Sequence, residues 1–525
     1  VNHIMTGARH HLWLFLVLAF AAPVYVLWTW SDQVGQFGND GPNYLMMALH
    51  YSPFAKAPAV FDQTAALSRF PPLYPLMLAW AGAGAGLHWV HELTTLFLMA
   101  GLVAFYVWLC VQRCSPAQAA LLTLLVAALP GSWLLGLTVQ SEFLYLFWSL
   151  LALTLLALHV RRPHDELLYV AALTVAAAAL TRTIGIALYL PLLLAAARTQ
   201  RRTGLLALAI AALPMLVWHL LHRADIGYTD ALGSMYATKP LAALREQLSA
   251  ELPALRKGLI GNFMTGSPPL RFGADALGAA CLAATVWRAL RRELEALYLA
   301  AYLAILLFWP YPEESGRFLW VILPLALVQP VLLLAGGCRA KFPSAAGGAP
   351  DARRPAMLTC ALAGLILLLS LPTLSLASER YRNAPYSGVP GARGLLAWYS
   401  TREPGEAAHR SYSQAVIIDA MRRIADEIPA RDCVLATRPD LVNYFGLRRS
   451  VFTPVDEIPD PYFQRELHAP GCKFVFMSTA LDGRYPVLLH PLKRLGDKIR
   501  VLDYVQMPDP PPGNRSVTCI LAEID

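Results

Sequence analysis

Seven charged residues of this chain stand beside long apolar stretches: Asp40, Arg69, Glu142, Arg182, Glu313, Glu314 and Arg317. Charge in that setting is expensive and needs a reason. Asp40 lies in FGNDGPNYLMMALHY, where a Gly-rich turn delivers the carboxylate and an amphipathic helix then carries Tyr44. Arg69 precedes the prolines of SRFPPLYPL, and Glu142 opens the apolar run SEFLYLFW. Arg182 sits in the tight turn LTRTIG, and Glu313, Glu314 and Arg317 share PYPEESGRF. Carboxylates and guanidiniums at a lipid–water boundary suit one reaction in particular, the movement of a sugar from a polyprenyl phosphate to an acceptor hydroxyl. The acceptor needs a carboxylate base to take its proton. The phosphate is already a good leaving group and needs positive charge, which arginine forks supply bidentately. Partial dehydration at the boundary strengthens these contacts.

Each residue also has a plainer role to weigh. Asp40 and Glu142 stand where helix caps stand. Arg182 is placed to snorkel to headgroups, Arg69 to anchor one, and Arg317 to pair only with Glu313 or Glu314 in its own turn. Tyr44 reads as packing as readily as chemistry. His219 and His222, at i, i+3 near a helix end, read as polar trim rather than a metal site.

The elements that position these residues follow from hydropathy. The chain has 525 residues, 56% hydrophobic and 15% charged, with a mean hydropathy of +0.46. That composition excludes a single soluble core. Apolar stretches recur at 11–30, 92–112, 117–135, 143–159, 167–181, 183–197, 204–221, 272–287, 294–309, 318–336 and 356–377. Each is near the ~20 residues a helix needs to cross a bilayer. With a cytoplasmic N-terminus, the loops carrying Arg113, Arg161/Arg162, Arg198/Arg201/Arg202, Arg288/Arg291/Arg292 and Arg339/Lys341/Arg353/Arg354 all face the cytoplasm, as the positive-inside rule requires. The count is roughly eleven crossings, which leaves the C-terminus and all seven charged residues outside. Residues 71–87 are apolar but short and opened by two prolines. They are read as juxtamembrane or re-entrant, because a crossing there would reverse every later loop. The first apolar stretch is too long for a cleaved signal peptide. The net charge of +8 belongs to cytoplasmic loops and anionic lipid; nothing points to nucleic acid.

The expected architecture is thus a polytopic α-helical membrane domain over 1–377, with outer loops 31–91 and 223–270. A linker and small α/β domain over 378–525 follow it. DCVLAT (432–437), KFVFMST (473–479) and VTCILAEI (517–524) read as strands. YSQAVIIDAMRRIADEI (412–428) and DLVNYFGL (440–447) read as helices. No glycine-rich phosphate loop is present. Residues 340–355 form a low-complexity cytoplasmic loop and 379–411 a linker. Cysteines show no zinc spacing. Cys433, Cys472 and Cys519 can form one disulfide with one thiol left over, Cys433–Cys472 being the pairing considered.

At these residues the chain resembles the GT-C superfamily of polytopic glycosyltransferases, nearest the bacterial protein-mannosyltransferase and aminoarabinose-transferase branch. The resemblance is carried by Asp40-x-x-x-Tyr44, by Arg69 to Tyr74, by Ser141-Glu142, by the Leu-Thr-Arg182 turn and by Glu314-x-x-Arg317. It covers roughly residues 11–340. It implies an inverting transferase of the bacterial inner membrane, using a polyprenyl-phosphate sugar on the periplasmic face. The acceptor would be a lipid, glycan or protein hydroxyl. It implies Asp40 as base and Arg69 and Arg317 toward the donor phosphate; the residues themselves add Glu142 as a further catalytic carboxylate and Arg182 as a further phosphate contact. Tyr44, Tyr74 and Glu314 would contact substrate. The departures are Arg-Phe-Pro-Pro-Leu-Tyr-Pro where aminoarabinose transferases have Lys-Pro-Pro then Tyr-Trp, and a single acid in Asn39-Asp40-Gly41 where many mannosyltransferases have Asp-Glu. Sugar, acceptor and any divalent cation are therefore left open. Two other classes compete: a lipid or sugar transporter, which would hold charge near mid-membrane in repeated halves, and a non-catalytic partner in envelope-polysaccharide assembly.

Overall fold

Proline and glycine decide where the apolar runs become helices. The computed structural model describes residues 8–29, 40–66, 70–82, 86–221, 240–263, 267–309, 312–341, 357, 359–369, 371, 404–452, 471–478, 499–506 and 518–524. In chain order the helices are α1 (Ala8–Thr29), α2 (Gly41–Tyr51), α3 (Ala59–Ala66), α4 (Leu73–Trp80) and α5 (Leu87–Val111). Next come α6 (Pro116–Ala128), α7 (Pro130–Gly136), α8 (Glu142–Arg161), α9 (Asp165–Thr181), α10 (Tyr189–Ala196) and α11 (Arg201–Leu221). The rest are α12 (Pro240–Phe263), α13 (Pro268–Leu290), α14 (Leu294–Leu307), α15 (Ser315–Lys341), α16 (Thr359–Leu369), α17 (Pro404–Glu427) and α18 (Pro439–Gly446).

Five of the described helices are long and apolar enough to cross a membrane, on α1, α5, α8, α11 and α15; the pair α6–α7 makes a sixth if it is one span. That pair bends by 57°. Leu129 is extended, at φ −61° and ψ 132°, as the residue before a proline prefers to be, so Pro130 ends α6 and starts α7. The single stretch expected over 117–135 is therefore broken. Other expected crossings fall on shorter helices such as α14 and α16. Within 71–87 the helix α4 has only 8 residues, about 12 Å at ~1.5 Å per residue, far short of the ~30 Å hydrocarbon core. The chain is a polytopic helical membrane protein with a small C-terminal sheet, as the hydropathy predicts.

Two compact units divide the chain. The membrane unit holds residues 1–30, 69–74 and 91–375. In it α8 packs along α9 and α9 along α11. Leu146, Leu150 and Leu153 of α8 are buried at helical spacing. The turn after α9 is tight because Gly185 lies against α9: an added Cβ would stand 2.7 Å from the backbone of Ala178 and Ala179.

The second unit holds residues 31–68, 75–90 and 376–525. Its sheet contains β1 (Cys433–Ala436), β2 (Arg449–Phe452), β3 (Phe474–Ser478), β4 (Ile499–Gln506) and β5 (Thr518–Ile524) in the order β2-β1-β3-β5-β4. β1 pairs in parallel with β2 and β3, and β5 pairs antiparallel with β3 and β4. Alternation along β1 sends Val434 and Ala436 into a core with Ile417, Met421 and Ile424 of α17. It sends Cys433 and Leu435 to the other face, with Val475 and Ala522. Cys433 is bonded to Cys472 and Cys519 is a buried free thiol. In the same unit α18 packs on α2 and α3, and the Phe61 and Tyr444 rings stack with centroids 5.9 Å apart. The low-complexity loop from 342 and most of the 379–411 linker lie outside the described residues.

Candidate functional site

Three helix ends meet in the membrane unit. α8 begins at Glu142, α9 ends against Arg182, and α15 carries Arg317 in its first turn. The N-termini of α8 and α15 bring partial positive charge, which favours a carboxylate there. Glu142 is 1% exposed and takes two cations. Arg182 Nη1 lies 2.7 Å from its Oε1 and Arg317 Nε lies 3.3 Å from the same oxygen. Arg182 Nη1 also donates to Ser141 Oγ at 3.1 Å. Arg317 Nε also lies 3.0 Å from Glu314 Oε2, and its Nη1 donates to Gln140 Oε1 at 2.8 Å. Both guanidiniums lie over the Phe318 ring, at 4.7 and 5.0 Å from its centroid, a cation–π arrangement that holds their planes.

The turn that presents Arg317 is itself held by α12. On that helix Gln247, Glu251, Gly258 and Asn262 recur at helical spacing and form one stripe. Gln247 Nε2 donates to the Trp309 carbonyl and Ser315 Oγ donates to Glu251. Asn262 Nδ2 donates to the Gly316 carbonyl at 2.8 Å. Gly258 lies so close to Gly316 that a Cβ there would stand 2.6 Å from the Gly316 Cα. Behind this turn the Tyr302 hydroxyl donates to the Phe318 carbonyl at 3.0 Å, and Trp320 Nε1 donates to Ser132 Oγ at 3.0 Å.

The structure thus brings Glu142, Arg182, Glu314 and Arg317 into one network. Arg182 turns inward at 7% exposed, so it does not snorkel. Arg317 reaches beyond its own turn. Tyr74, at the start of α4, is fully buried with its ring edge-on to Phe97. Asp40 and Tyr44 belong to the second unit. Asp40 occupies the N-cap position of α2, yet its side chain makes no capping hydrogen bond; its carbonyl accepts from Tyr44 N instead. Tyr44 is 3% exposed. Arg69 and the Glu313 side chain lie outside the described residues. The sequence reading missed Gln140, Phe318, Gln247, Glu251 and Asn262. The polar stripe of α12 was the available signal, and the neighbours of Glu142 and Arg317 carried none. Among the described residues no group of three or more His, Cys, Asp or Glu side chains is placed to hold a metal ion.

The fold is shared with a solved membrane protein. Over 97% of this chain and 98% of the other it matches ArnT from Cupriavidus metallidurans, solved bound to undecaprenyl phosphate, at a TM-score of 0.51 and 13% sequence identity. The same ArnT in its apo state aligns over 98% of both chains at a TM-score of 0.48 and 13% identity. An oligosaccharyltransferase from Archaeoglobus fulgidus, solved with zinc and sulfate, matches 93% of this chain and 71% of its own at 0.48 and 15% identity. Only the first passes one half on that scale, and at such identity it shows the fold alone. No family model and no curated relative matches the chain.

Proposed function

We propose that this protein is a membrane glycosyltransferase that moves a sugar from a polyprenyl phosphate to an acceptor hydroxyl, with inversion at the anomeric carbon. The observation that carries the reading is the pair Arg182 and Arg317, gathered by three helix ends around the buried Glu142. It is supported by a fold shared with an ArnT solved bound to undecaprenyl phosphate. In this reading Asp40 takes the proton of the acceptor hydroxyl. The acceptor oxygen bonds to the anomeric carbon, the bond from that carbon to the phosphate oxygen breaks, and polyprenyl phosphate leaves. Arg317, with Arg69 and Arg182, balances the phosphate charge. Glu142 sets the two arginines, and Tyr44, Tyr74 and Glu314 shape the substrate's surroundings. The arginine-bearing loops support a reaction on the periplasmic face of a bacterial inner membrane.

The test is mass spectrometry of lipid that co-purifies with the Asp40→Asn variant. A polyprenyl-phosphate sugar is expected, trapped because binding survives and proton removal does not. Arg317→Ala in the same background should lose it. A folded Asp40→Asn protein that retains substantial turnover would move the base elsewhere, first to Glu142.

A further inference from the structure

Two buried polar atoms in the site have no partner among the described residues: Gln140 Nε2 and Glu142 Oε2. Gln140 is 2% exposed and Glu142 1%. Their orientation is fixed by chemistry. A guanidinium only donates, so the Gln140 atom that meets Arg317 Nη1 at 2.8 Å must be the carbonyl oxygen, and the amide NH2 points elsewhere. In Glu142 the ionic contacts with Arg182 and Arg317 both fall on Oε1, which leaves Oε2. Buried donors and acceptors are nearly always paired in folded proteins. Here a donor and an acceptor, two residues apart and both tied to Arg317, stand unmatched.

We infer that Gln140 and Glu142 contact the transferred sugar, Gln140 Nε2 donating to one of its hydroxyl groups and Glu142 Oε2 accepting from one. The inference rests on the donor being a polyprenyl-phosphate sugar. What fills the site must both accept and donate. A phosphate accepts from Gln140 but brings no hydrogen for Glu142, and its charge is repelled by a bare carboxylate oxygen. An ammonium group satisfies Glu142 and leaves Gln140 unmatched. Hydroxyl groups do both, so the ligand class is a hydroxyl-bearing sugar. Arg317 then divides the donor between its own phosphate contact and the two side chains it positions for the sugar.

The test uses the full-length protein in nanodiscs, titrated with undecaprenyl phosphate and with a panel of undecaprenyl-phosphate hexoses, pentoses and amino sugars. Gln140→Glu keeps the oxygen that accepts from Arg317 and replaces the donor. It should weaken the preferred sugar-bearing lipid by about tenfold more than it weakens undecaprenyl phosphate, the scale of one lost hydrogen bond beside charge. If that variant does not fold, Gln140→Leu serves, with undecaprenyl phosphate binding as its folding control. Equal loss on both lipids would assign Gln140 to the phosphate and overturn the inference. Unchanged affinity for both would leave the two atoms to a bound water and overturn it as well. Failure of the wild type to bind either lipid would sink the proposed function itself, a separate result.

Discussion

Glu142 in the membrane unit and Asp40 in the second unit are held by different kinds of contact. At the site in the membrane unit the charged groups are buried and mutually held: Glu142 at 1% exposed binds Arg182 and Arg317, and Gln140 and Phe318 fix the second arginine. In the second unit the one candidate for proton transfer, Asp40, opens a short helix that is steadied by apolar packing. α2 and α3 lean on α18 through Phe61 and Tyr444. The first arrangement suits groups that must stay in one place, because a buried ion pair that loses a partner leaves a costly orphan charge. The second suits a group that must meet a changing partner. The buried network and the proposed base are thus mounted on different contacts, and perturbations should separate them.

The largest separation is kinetic. Asp40→Asn preserves shape and removes the proton acceptor, so kcat should fall by roughly 10²–10⁴ with donor-lipid affinity little changed. Single-turnover kinetics beside a binding isotherm will show whether the two quantities part. A matched loss of affinity would mean that Asp40 serves binding and that the contrast between the units is false.

Stability comes next. Glu142→Ala strands two guanidiniums in a buried site and should destabilise the protein by about 3–5 kcal/mol, read as a lowered melting temperature in detergent. The exposed ion pair of Arg256 with Asp275, at 2.8 Å, provides the contrast. Asp275→Ala should scarcely move the melting temperature, because exposed pairs contribute little. Comparable losses from the two substitutions would deny the Glu142 network its special standing.

How much of this was legible in the residues depends on which force placed them. Charges beside apolar runs announce themselves, so Glu142, Arg182 and Arg317 were visible with no structure at all. Their pairing was not, since Oε1 of one side chain chooses two arginines 40 and 175 positions away only in three dimensions. Gln140 and Phe318 are neutral residues whose role comes entirely from a neighbour. α12 was read as part of a loop because its mean hydropathy is low, although its polar stripe has helical spacing. The α6–α7 break was available from Pro130, which sits inside an apolar run that was read as continuous. In the sheet, β1, β3 and β5 read easily as short apolar runs. β2 is exposed at both ends and β4 has no fully buried residue, so neither reads as an apolar run.

A smaller effect tests whether α12 positions Arg317. Gly258→Ala pushes a Cβ toward the Gly316 Cα at 2.6 Å, and both sides of that contact are backbone. The cost should be about 1–3 kcal/mol, with weaker undecaprenyl phosphate binding as the turn shifts. Gly261 lies three residues later on the same helix with nothing within 4 Å of its added Cβ. Gly261→Ala should be neutral or gain up to ~1 kcal/mol from helix propensity. Equal behaviour of the two variants in binding would release the turn from α12.

The smallest expected effect belongs to the second unit. Burial pushes the Tyr444 hydroxyl up from 10.0 to about 12, with Arg422 nearby opposing part of the rise. Protonated tyrosine is the neutral form, so the folded state holds this proton longer than the unfolded chain does. The stability it contributes is fully present below about pH 10 and is lost as pH rises through 12. Cys519 is also raised by burial, from 9.0 to about 11, so melting alone would mix the two groups. Phenolate absorbance separates them, because a thiol does not share it. Tyr444→Phe keeps the ring against Phe61, so the difference between the wild-type and variant phenolate titrations should show one tyrosine's step near 12, and the alkaline fall in melting temperature should flatten. A Tyr444 that titrates near 10 in the folded protein would mean that its ring is open to water. α18 would then steady the Asp40 helix less firmly than the stacking implies, and the contrast between a fixed network and an apolar-mounted base would lose its second half.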